Sequence, residues 1–176
     1  NQNTLAPWSQ YFSTRFFSHF IYDDPEWNNR RFDLNRDPAI ARKKQILGAP
    51  FSTLASSNNP NLIQLKKNGA KLITYSNWGD ALVFPDETID YYKRVVAAVG
   101  GLEATLDFTR LFMVPGMQHC AGGAGANAFG QYSWTPALYD DASHDMTRAL
   151  ERWVEQGIAP DKVIATKYIE DKPENG

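Results

Sequence analysis

The C-terminal part of the sequence alternates between strand-like and helix-like segments, and this alternation most restricts the folds open to the chain. Short apolar stretches over 70–75 and 108–114 predict buried strands, and 163–169 is a further candidate strand. Amphipathic helices are predicted over 86–99 and 140–156, because apolar residues recur there at helical spacing. The order strand, helix, strand, loop, helix is typical of α/β proteins with a parallel sheet, so the predicted fold class is α/β. The residues expected to face the core are Ile89, Tyr92, Val96 and Val99 in the first helix and Met146, Leu150, Trp153 and Val154 in the second.

Composition and charge exclude several classes of protein. The chain has 176 residues, of which 43% are hydrophobic and 22% are charged. This composition excludes a disordered low-complexity chain and a coiled coil. A formal net charge of −2 gives no general attraction to nucleic acid or to an anionic membrane. The sequence shows no apolar run near the roughly 18 residues of a membrane helix and no signal-peptide pattern. We therefore expect neither nucleic acid nor a membrane as a partner.

The N-terminal part of the chain is aromatic and less regular. Residues 11–20 fit a helix or a strand equally well, because their apolar positions match both periods. Asp37 followed by Pro38 predicts the start of a helix, with Asp37 as the N-cap. This helix is expected to run to about Leu47, where Gly48 ends it.

Two residues that could act as an acid–base pair follow the two main predicted strands. Asp80 comes shortly after the first strand, and His119 comes shortly after the second. In parallel α/β sheets, functional residues lie at the carboxyl ends of the strands. Asp before His is the second half of the Ser, Asp, His order of α/β-hydrolases, in which the imidazole takes a proton from the nucleophile and the carboxylate orients the imidazole. Each residue alone has an ordinary explanation as a turn or loop residue, but the pair at matching strand ends favours this chemistry.

A nucleophile for this pair is missing from the sequence. No serine stands in a Gly-x-Ser-x-Gly context, and Ser76 and Ser133, the nearest by position, lack the flanking glycines. Cys120 directly follows His119, and adjacent side chains usually diverge, so we expect no direct activation of this thiol. The three histidines lack metal-site spacing, and the glycine-rich stretch 122–126 lacks the lysine of a phosphate-binding loop. The glycine-rich stretch is therefore expected to be a flexible surface loop.

Two segments resemble the tannase and feruloyl esterase family. Residues 113–123 read Met-Val-Pro-Gly-Met-Gln-His-Cys-Ala-Gly-Gly, where the family usually has Met-Val-Pro-Gly-Met-Gly-His-Cys-Gly-Gly-Gly. Residues 69–80 are similar to the family's Gly-Gly-Lys-Leu-Ile-x-Tyr-His-Gly-Trp-x-Asp, with Ser76 and Asn77 in place of His-Gly. Weaker similarity extends the resemblance over roughly residues 20–155.

The resemblance implies the C-terminal portion of an α/β-hydrolase fold, with parallel strands and amphipathic helices and with the lid domain absent. It implies that 1–48 is an irregular and helical segment following the family's lid insertion, and that 49–176 is the C-terminal part of the catalytic domain. Members of the family cleave esters of aromatic acids such as gallate and ferulate with a Ser, His, Asp triad, in which Asp80 would be the acid and His119 the base. Cys120 matches the cysteine that the family joins by a disulfide to the cysteine before the nucleophilic serine.

Two hypotheses follow from the sequence and the resemblance. The first is a C-terminal fragment or subunit of a carboxylic ester hydrolase acting on aromatic acid esters, secreted or periplasmic as the family implies, and inactive alone because the serine is missing. Its partners would be an N-terminal part carrying the serine and the lid, and a small aromatic ester as substrate. No cofactor is expected in this segment, and calcium is expected at most in the missing lid. The second hypothesis, supported by the absent nucleophile, is a catalytically inactive binding module on a hydrolase-derived scaffold.

Overall fold

The structure of the protein is a computed structural model, in which residues 8–175 are described. The chain divides into two compact units, Asn1–Asn59 and Pro60–Gly176, which are called here the N-terminal unit and the C-terminal unit. The boundary predicted between residues 48 and 49 is the end of the segment that follows the lid insertion in related proteins. It is not a boundary between compact units, and it stays a prediction.

The N-terminal unit is helical, with one small hairpin. Residues 11–20 are helical rather than extended, which settles the ambiguity of their apolar pattern. The elements of the unit are α1 (Trp8–Arg15), a π-helical turn (Phe16–Ile21), a 3-10 turn (Asn29–Arg31), α2 (Asp37–Lys43), β1 (Gln45–Ile46), β2 (Ala49–Pro50) and α3 (Phe51–Ala55).

Aromatic rings and one buried carboxylate organise this unit. The Trp27 ring is buried, and the rings of Phe17 and Tyr22 stack on it with centroid distances of 5.3 and 5.8 Å. The Asp37 side chain is fully buried. It accepts hydrogen bonds from the Tyr22 hydroxyl at 2.5 Å and from the Arg36 guanidinium at 2.6 Å. Because a buried charge is costly unless it is paired, these bonds are what allow Asp37 to sit inside the unit.

The helix predicted over 37–47 is shorter than expected, and this prediction was wrong at both ends. Asp37 is the first helical residue instead of the N-cap, and its carboxylate is engaged with neighbouring side chains and the Asp33 N–H. The helix ends at Lys43, after which β1 and β2 form an antiparallel hairpin. Leu47 and Gly48 connect the two strands with φ angles of 51° and 79°. Two consecutive positive φ angles suit the mirror-image turns of two-residue hairpins and cannot continue a helix.

The C-terminal unit contains a parallel strand pair with helices, as the α/β prediction required. β3 and β4 pair in parallel, in a register that runs from Leu72 opposite Thr109 to Asn77 opposite Val114. Parallel neighbours cannot be joined by a tight turn, and a helical crossover therefore connects them. The elements of the unit are α4 (Ile63–Lys67), β3 (Leu72–Asn77), α5 (Pro85–Val99), α6 (Leu102–Leu106), β4 (Thr109–Val114), α7 (Met146–Gln156) and 3-10 turns at Ile169–Asp171 and Pro173–Asn175.

The core of the C-terminal unit lies around the end of β4. Val114, Met117 and Phe129 are buried together, and the partly buried Tyr75 packs against them from β3. In α5 the fully buried residue is Val95, one position away from the predicted Val96. In α7 the predicted Trp153 is buried, whereas Val154 is 61% exposed, so the inward face of α7 is rotated from the predicted one.

Two elements of the C-terminal part differ from the prediction. The helix predicted over 140–156 begins at Met146, because the Asp145 carboxylate caps it by accepting hydrogen bonds from the N–H groups of Thr147 and Arg148. The candidate strand over 163–169 does not form. Within it, Thr166 makes an isolated bridge to Ala128 and accepts further from the Asn127 N–H at 3.0 Å, so its backbone groups pair with a loop rather than with a strand.

Within the described part of the chain, no helix combines the length and the apolar character needed to cross a bilayer.

Candidate active site

The turn after β3 carries Asp80 to the carboxyl end of the sheet. The Asp80 N–H donates to the Asn77 carbonyl at 3.2 Å, which closes a four-residue turn. Within this turn, the Trp78 N–H donates to the Val114 carbonyl at the end of β4, at 3.1 Å. The Gly79 N–H donates to the Met117 carbonyl, also at 3.1 Å. The turn that presents Asp80 is therefore bound to the chain segment that leads to His119.

The loop after β4 presents His119 on a tight turn. The Gln118 N–H donates to the Gly122 carbonyl at 3.1 Å, and the Ala121 N–H donates to the His119 carbonyl at 2.9 Å. Cys120 lies between the last two residues with a φ of 66°. A hydrogen bond between residues two apart, around a central residue of positive φ, is the pattern of the strained γ-turn. The backbone on either side of His119 is thus closely defined.

The structure brings the two predicted site residues together. His119 Nδ1 lies 2.9 Å from Asp80 Oδ2. The Asp80 side chain is only 5% exposed, whereas the His119 side chain is 45% exposed. The contact follows from the parallel pairing of β3 and β4, which places both carboxyl ends at the same edge of the sheet.

Backbone groups hold Asp80 in its charged form. Its Oδ1 accepts hydrogen bonds from the N–H groups of Leu82 at 2.8 Å and Val83 at 2.9 Å, which leaves Oδ2 for His119. Burial raises the pKa of Asp80, but the hydrogen bonds from Val83, His119 and Leu82 outweigh it, and the pKa is lowered overall. An ionised Asp80 requires N–H at Nδ1 of a neutral His119, so Nε2 carries the lone pair that a general base needs.

The glycine-rich segment beyond His119 is closely packed, although its sequence predicts a flexible surface loop. The Gly125 N–H donates to the Gly116 carbonyl at 3.1 Å. A Cβ on Gly125 would lie 2.2 Å from the Pro115 carbonyl oxygen, and a Cβ on Gly123 would lie 2.2 Å from that of Gly116. Such distances are far below van der Waals contact, so glycine is required where the backbone folds back on itself.

Within residues 8–175, no nucleophile is hydrogen-bonded to the pair formed by Asp80 and His119. No serine hydroxyl within residues 8–175 hydrogen-bonds to His119, and Ser76 is buried at the end of β3. Cys120, the single cysteine of the chain, forms no disulfide here. No group of three or more His, Cys, Asp and Glu side chains within the described range is arranged to hold a metal ion.

Sequence reasoning missed the backbone donors to Asp80, which are the N–H groups of Leu82 and Val83. In turns, an aspartate side chain commonly accepts a hydrogen bond from the backbone N–H two residues later. This pattern could have identified the Leu82 N–H as a donor to Asp80.

Comparisons with known proteins agree on one family. Residues 3–176 match the sequence model of the family described as tannase and feruloyl esterase. An uncharacterized esterase of Xanthomonas campestris pv. campestris is 36% identical over 177 residues, which cover 93% of this chain and 31% of the relative. A probable feruloyl esterase B-1 of Aspergillus fumigatus is 35% identical over 161 residues, which cover 91% of this chain and 29% of the relative.

Solved structures give the same result. The crystal structure of feruloyl esterase B from Aspergillus oryzae matches with a TM-score of 0.78 and 26% identity, over 92% of this chain and 31% of that one. The crystal structure of an esterase from Aspergillus oryzae matches with a TM-score of 0.77 and 31% identity, over 89% of this chain and 30% of that one. This chain spans under a third of the length of these relatives. With its parallel strand pair and crossover helix, the chain has part of an α/β-hydrolase fold and belongs to the tannase and feruloyl esterase family.

Proposed function

We propose that this chain is the C-terminal part of a serine carboxylic ester hydrolase that acts on esters of aromatic acids. It would supply Asp80 as the acid and His119 as the base of a Ser-His-Asp triad. The observation that carries the proposal is the 2.9 Å contact between His119 Nδ1 and the buried Asp80 carboxylate, made at two neighbouring strand ends. The names of the relatives as feruloyl esterases support the aromatic acyl group.

In this proposal His119 moves one proton in each half of the reaction. Its Nε2 takes the proton of the serine hydroxyl as the serine oxygen bonds to the ester carbon. The same nitrogen then gives that proton to the departing alcohol, and an acyl-serine remains. In the second half, Nε2 takes a proton from water as the water oxygen bonds to the acyl carbon, and then gives it to the serine oxygen as the acyl–serine bond breaks and the acid leaves. Asp80 keeps the imidazole in the required tautomer and stabilises its charged form.

The proposal assigns the remaining parts to a preceding segment of a longer protein. That segment would carry the serine and a lid domain, with any calcium held in the lid, and a cysteine that pairs with Cys120. Because disulfides persist in oxidising compartments, we propose a secreted or periplasmic location. The catalytic chemistry described for Asp80 and His119 needs no cofactor in this segment.

Replacement of His119 tests the proposed function. In the full-length protein, His119→Ala is expected to lower kcat on methyl ferulate and methyl gallate by several orders of magnitude, because the base is lost. The matched control is His144→Ala, since His144 also pairs with an aspartate, Asp141, at 2.9 Å, but follows no strand. The control is expected to keep turnover within about twofold of the parent, because the His144 ring pairs with Asp141 and not with Asp80.

This chain expressed alone is expected to show no turnover of either ester, because it lacks the nucleophile. Full turnover by His119→Ala, or hydrolysis by the isolated chain, would contradict the proposed roles. A full-length protein that binds aromatic esters without hydrolysing them would instead support the inactive binding module.

A further inference from the structure

The second half of the loop that presents His119 is almost without side chains. Residues 122–125 read Gly-Gly-Ala-Gly. Within them, Gly123 forms an isolated antiparallel bridge with Met117, which is fully buried. Glycine loses more backbone freedom on folding than any other residue, and it has no side chain that could pack against the core. The position of this half of the loop therefore depends on groups that reach it from other parts of the chain.

The Lys167 side chain is one of these groups. Lys167 Nζ donates a hydrogen bond to the Gly123 carbonyl oxygen at 2.6 Å, although the two residues are 44 positions apart in the chain. A hydrogen bond from a charged donor is shorter and stronger than one between neutral groups. The backbone next to Lys167 is itself held, because the Thr166 N–H donates to the Ala128 carbonyl at 2.8 Å. Lys167 therefore reaches Gly123 from a defined backbone position.

Asp171 orients two donors that contact the glycine-rich half of the loop. Its Oδ1 accepts hydrogen bonds from Lys167 Nζ and from Asn127 Nδ2, the latter at 2.7 Å. The buried Asn127 side chain also donates to the Gly125 carbonyl at 3.1 Å. The hydrogen bond from Asn127, and then that from Lys167, hold the pKa of Asp171 below its ordinary value. One ionised carboxylate thus holds the lysine and the amide in place over the backbone of Gly123 and Gly125.

The held part of the loop is bonded to the residue before His119. The Gln118 N–H donates to the Gly122 carbonyl at 3.1 Å, directly next to the position that Lys167 contacts. The His119 side chain is 45% exposed, and within residues 8–175 its one side-chain hydrogen bond is to Asp80. A half-exposed ring depends on its backbone for orientation, and a misplacement of about 1 Å in a catalytic group costs about 100-fold in rate.

We propose that Lys167 is a positioning residue for the reaction: held by Asp171, it fixes the Gly123 carbonyl and so the loop that directs His119 toward Asp80. The inference rests on the proposed function and extends it to a residue outside the triad. Lys167 takes no proton and touches no substrate in this role.

The test removes the ammonium group and keeps the long side chain. In the full-length protein, Lys167→Met can no longer donate to Gly123. We expect kcat on methyl ferulate to fall about tenfold, equal to about 1.4 kcal/mol, and KM to stay unchanged. The downfield proton resonance of His119 Nδ1–H, identified by its absence in His119→Ala, is expected to shift or broaden, because His119 is held less firmly against Asp80.

Two further variants separate the hydrogen bond from other effects of the substitution. Lys167→Arg keeps several N–H donors for the carbonyl and the carboxylate, and it is expected to restore most of the lost kcat. The matched control is Lys172→Met, because Lys172 lies in the same C-terminal segment and pairs with a carboxylate, that of Glu170, at 3.1 Å. This control is expected to keep the parental kcat and Nδ1–H signal.

The outcomes distinguish the positioning role from the proposed function. If Lys167→Met keeps the parental kcat and Nδ1–H signal while His119→Ala abolishes turnover, the positioning role is wrong and the proposed function stands. If Lys167→Met lowers the melting temperature but leaves the Nδ1–H signal unchanged, or if Lys167→Arg loses as much kcat as Lys167→Met, the inference is also overturned. If His119→Ala keeps full turnover, the proposed function itself fails.

Discussion

The backbones of Gly79 and Met117 join the two strand ends that carry the site. The Gly79 N–H donates to the Met117 carbonyl oxygen at 3.1 Å, and a Cβ on Gly79 would lie 2.8 Å from that same oxygen. Gly79 has no positive φ, so the requirement for glycine is steric rather than conformational. This contact draws the turn of Asp80 toward the loop of His119.

Replacement of Gly79 by alanine is therefore expected to push the two segments apart. We expect Gly79→Ala to lower the free energy of unfolding by about 1–3 kcal/mol, as other overpacking changes do, and kcat by at least about tenfold. Urea unfolding and ester turnover of the full-length protein measure the two effects. The control is Gly69→Ala, where φ is 73° and no atom lies within 4 Å of the new Cβ. Gly69→Ala is destabilised only by its left-handed backbone conformation and should keep the parental kcat. Equal losses of kcat in both variants would contradict the prediction.

Asp80→Asn is expected to lower kcat by about 10⁴-fold, because an amide no longer enforces N–H at Nδ1 of His119. KM should change little, since Asp80 does not contact substrate in the proposed mechanism. Steady-state kinetics of the full-length protein provide the measurement. Asp90→Asn serves as the control, because the Asp90 side chain is 72% exposed and its charged partner is Lys93 rather than a histidine, with Asp90 Oδ1 3.7 Å from Lys93 Nζ. A loss of less than about tenfold for Asp80→Asn would show that the carboxylate does not set the tautomer.

The buried Asp37 should make the stability of the protein depend on pH. Its hydrogen bond from Arg36, with those from Tyr22 and Asp33, outweighs burial and lowers the pKa of Asp37 to about 2. A lowered pKa contributes stability above the unfolded value of about 3.9, and this contribution is lost as the pH falls through about 2. Asp37→Asn should therefore have a lower melting temperature than the parent at pH 7, and the difference should shrink between about pH 4 and pH 2. Thermal melts at several pH values check this, and a difference that is independent of pH would refute the assignment.

Cys120 is expected to be oxidised in the full-length protein. Peptide mapping under non-reducing conditions should find it joined to a cysteine of the preceding segment, because the proposed disulfide ties the loop of the base to the region of the nucleophile. Reduction should release the two peptides and lower the melting temperature. Recovery of Cys120 as a free thiol from protein purified without reductant would contradict the proposed disulfide.

Local patterns in the sequence predicted the elements that place the site. Apolar periodicity identified β3, α5 and β4 to within two residues, because these segments are bounded by glycine, proline and polar turns. The order of elements was enough to expect a parallel pair, and hence Asp80 and His119 at one edge. Motif similarity identified the family.

Elements that depend on distant partners were the ones predicted poorly. Residues 163–169 look like a strand by composition, but Thr166 pairs with Ala128 on a loop and no ladder follows. That pairing depends on where the loop at Ala128 lies, which periodicity cannot report. The late start of α7 is different, because it is a local effect: the Asp145 carboxylate caps the helix by accepting hydrogen bonds from its first N–H groups.

The sequence by itself determined which chemistry the chain can offer: an acid and a base after two strands, one cysteine beside the base, and no nucleophile in a recognised motif. Only the tertiary structure decided that Asp80 Oδ2 and His119 Nδ1, 39 positions apart in the chain, meet at 2.9 Å. The reason is physical. Residue type and spacing set the local backbone preference and the reactions that each side chain can take part in. The distance between two side chains depends instead on packing between segments far apart in the chain.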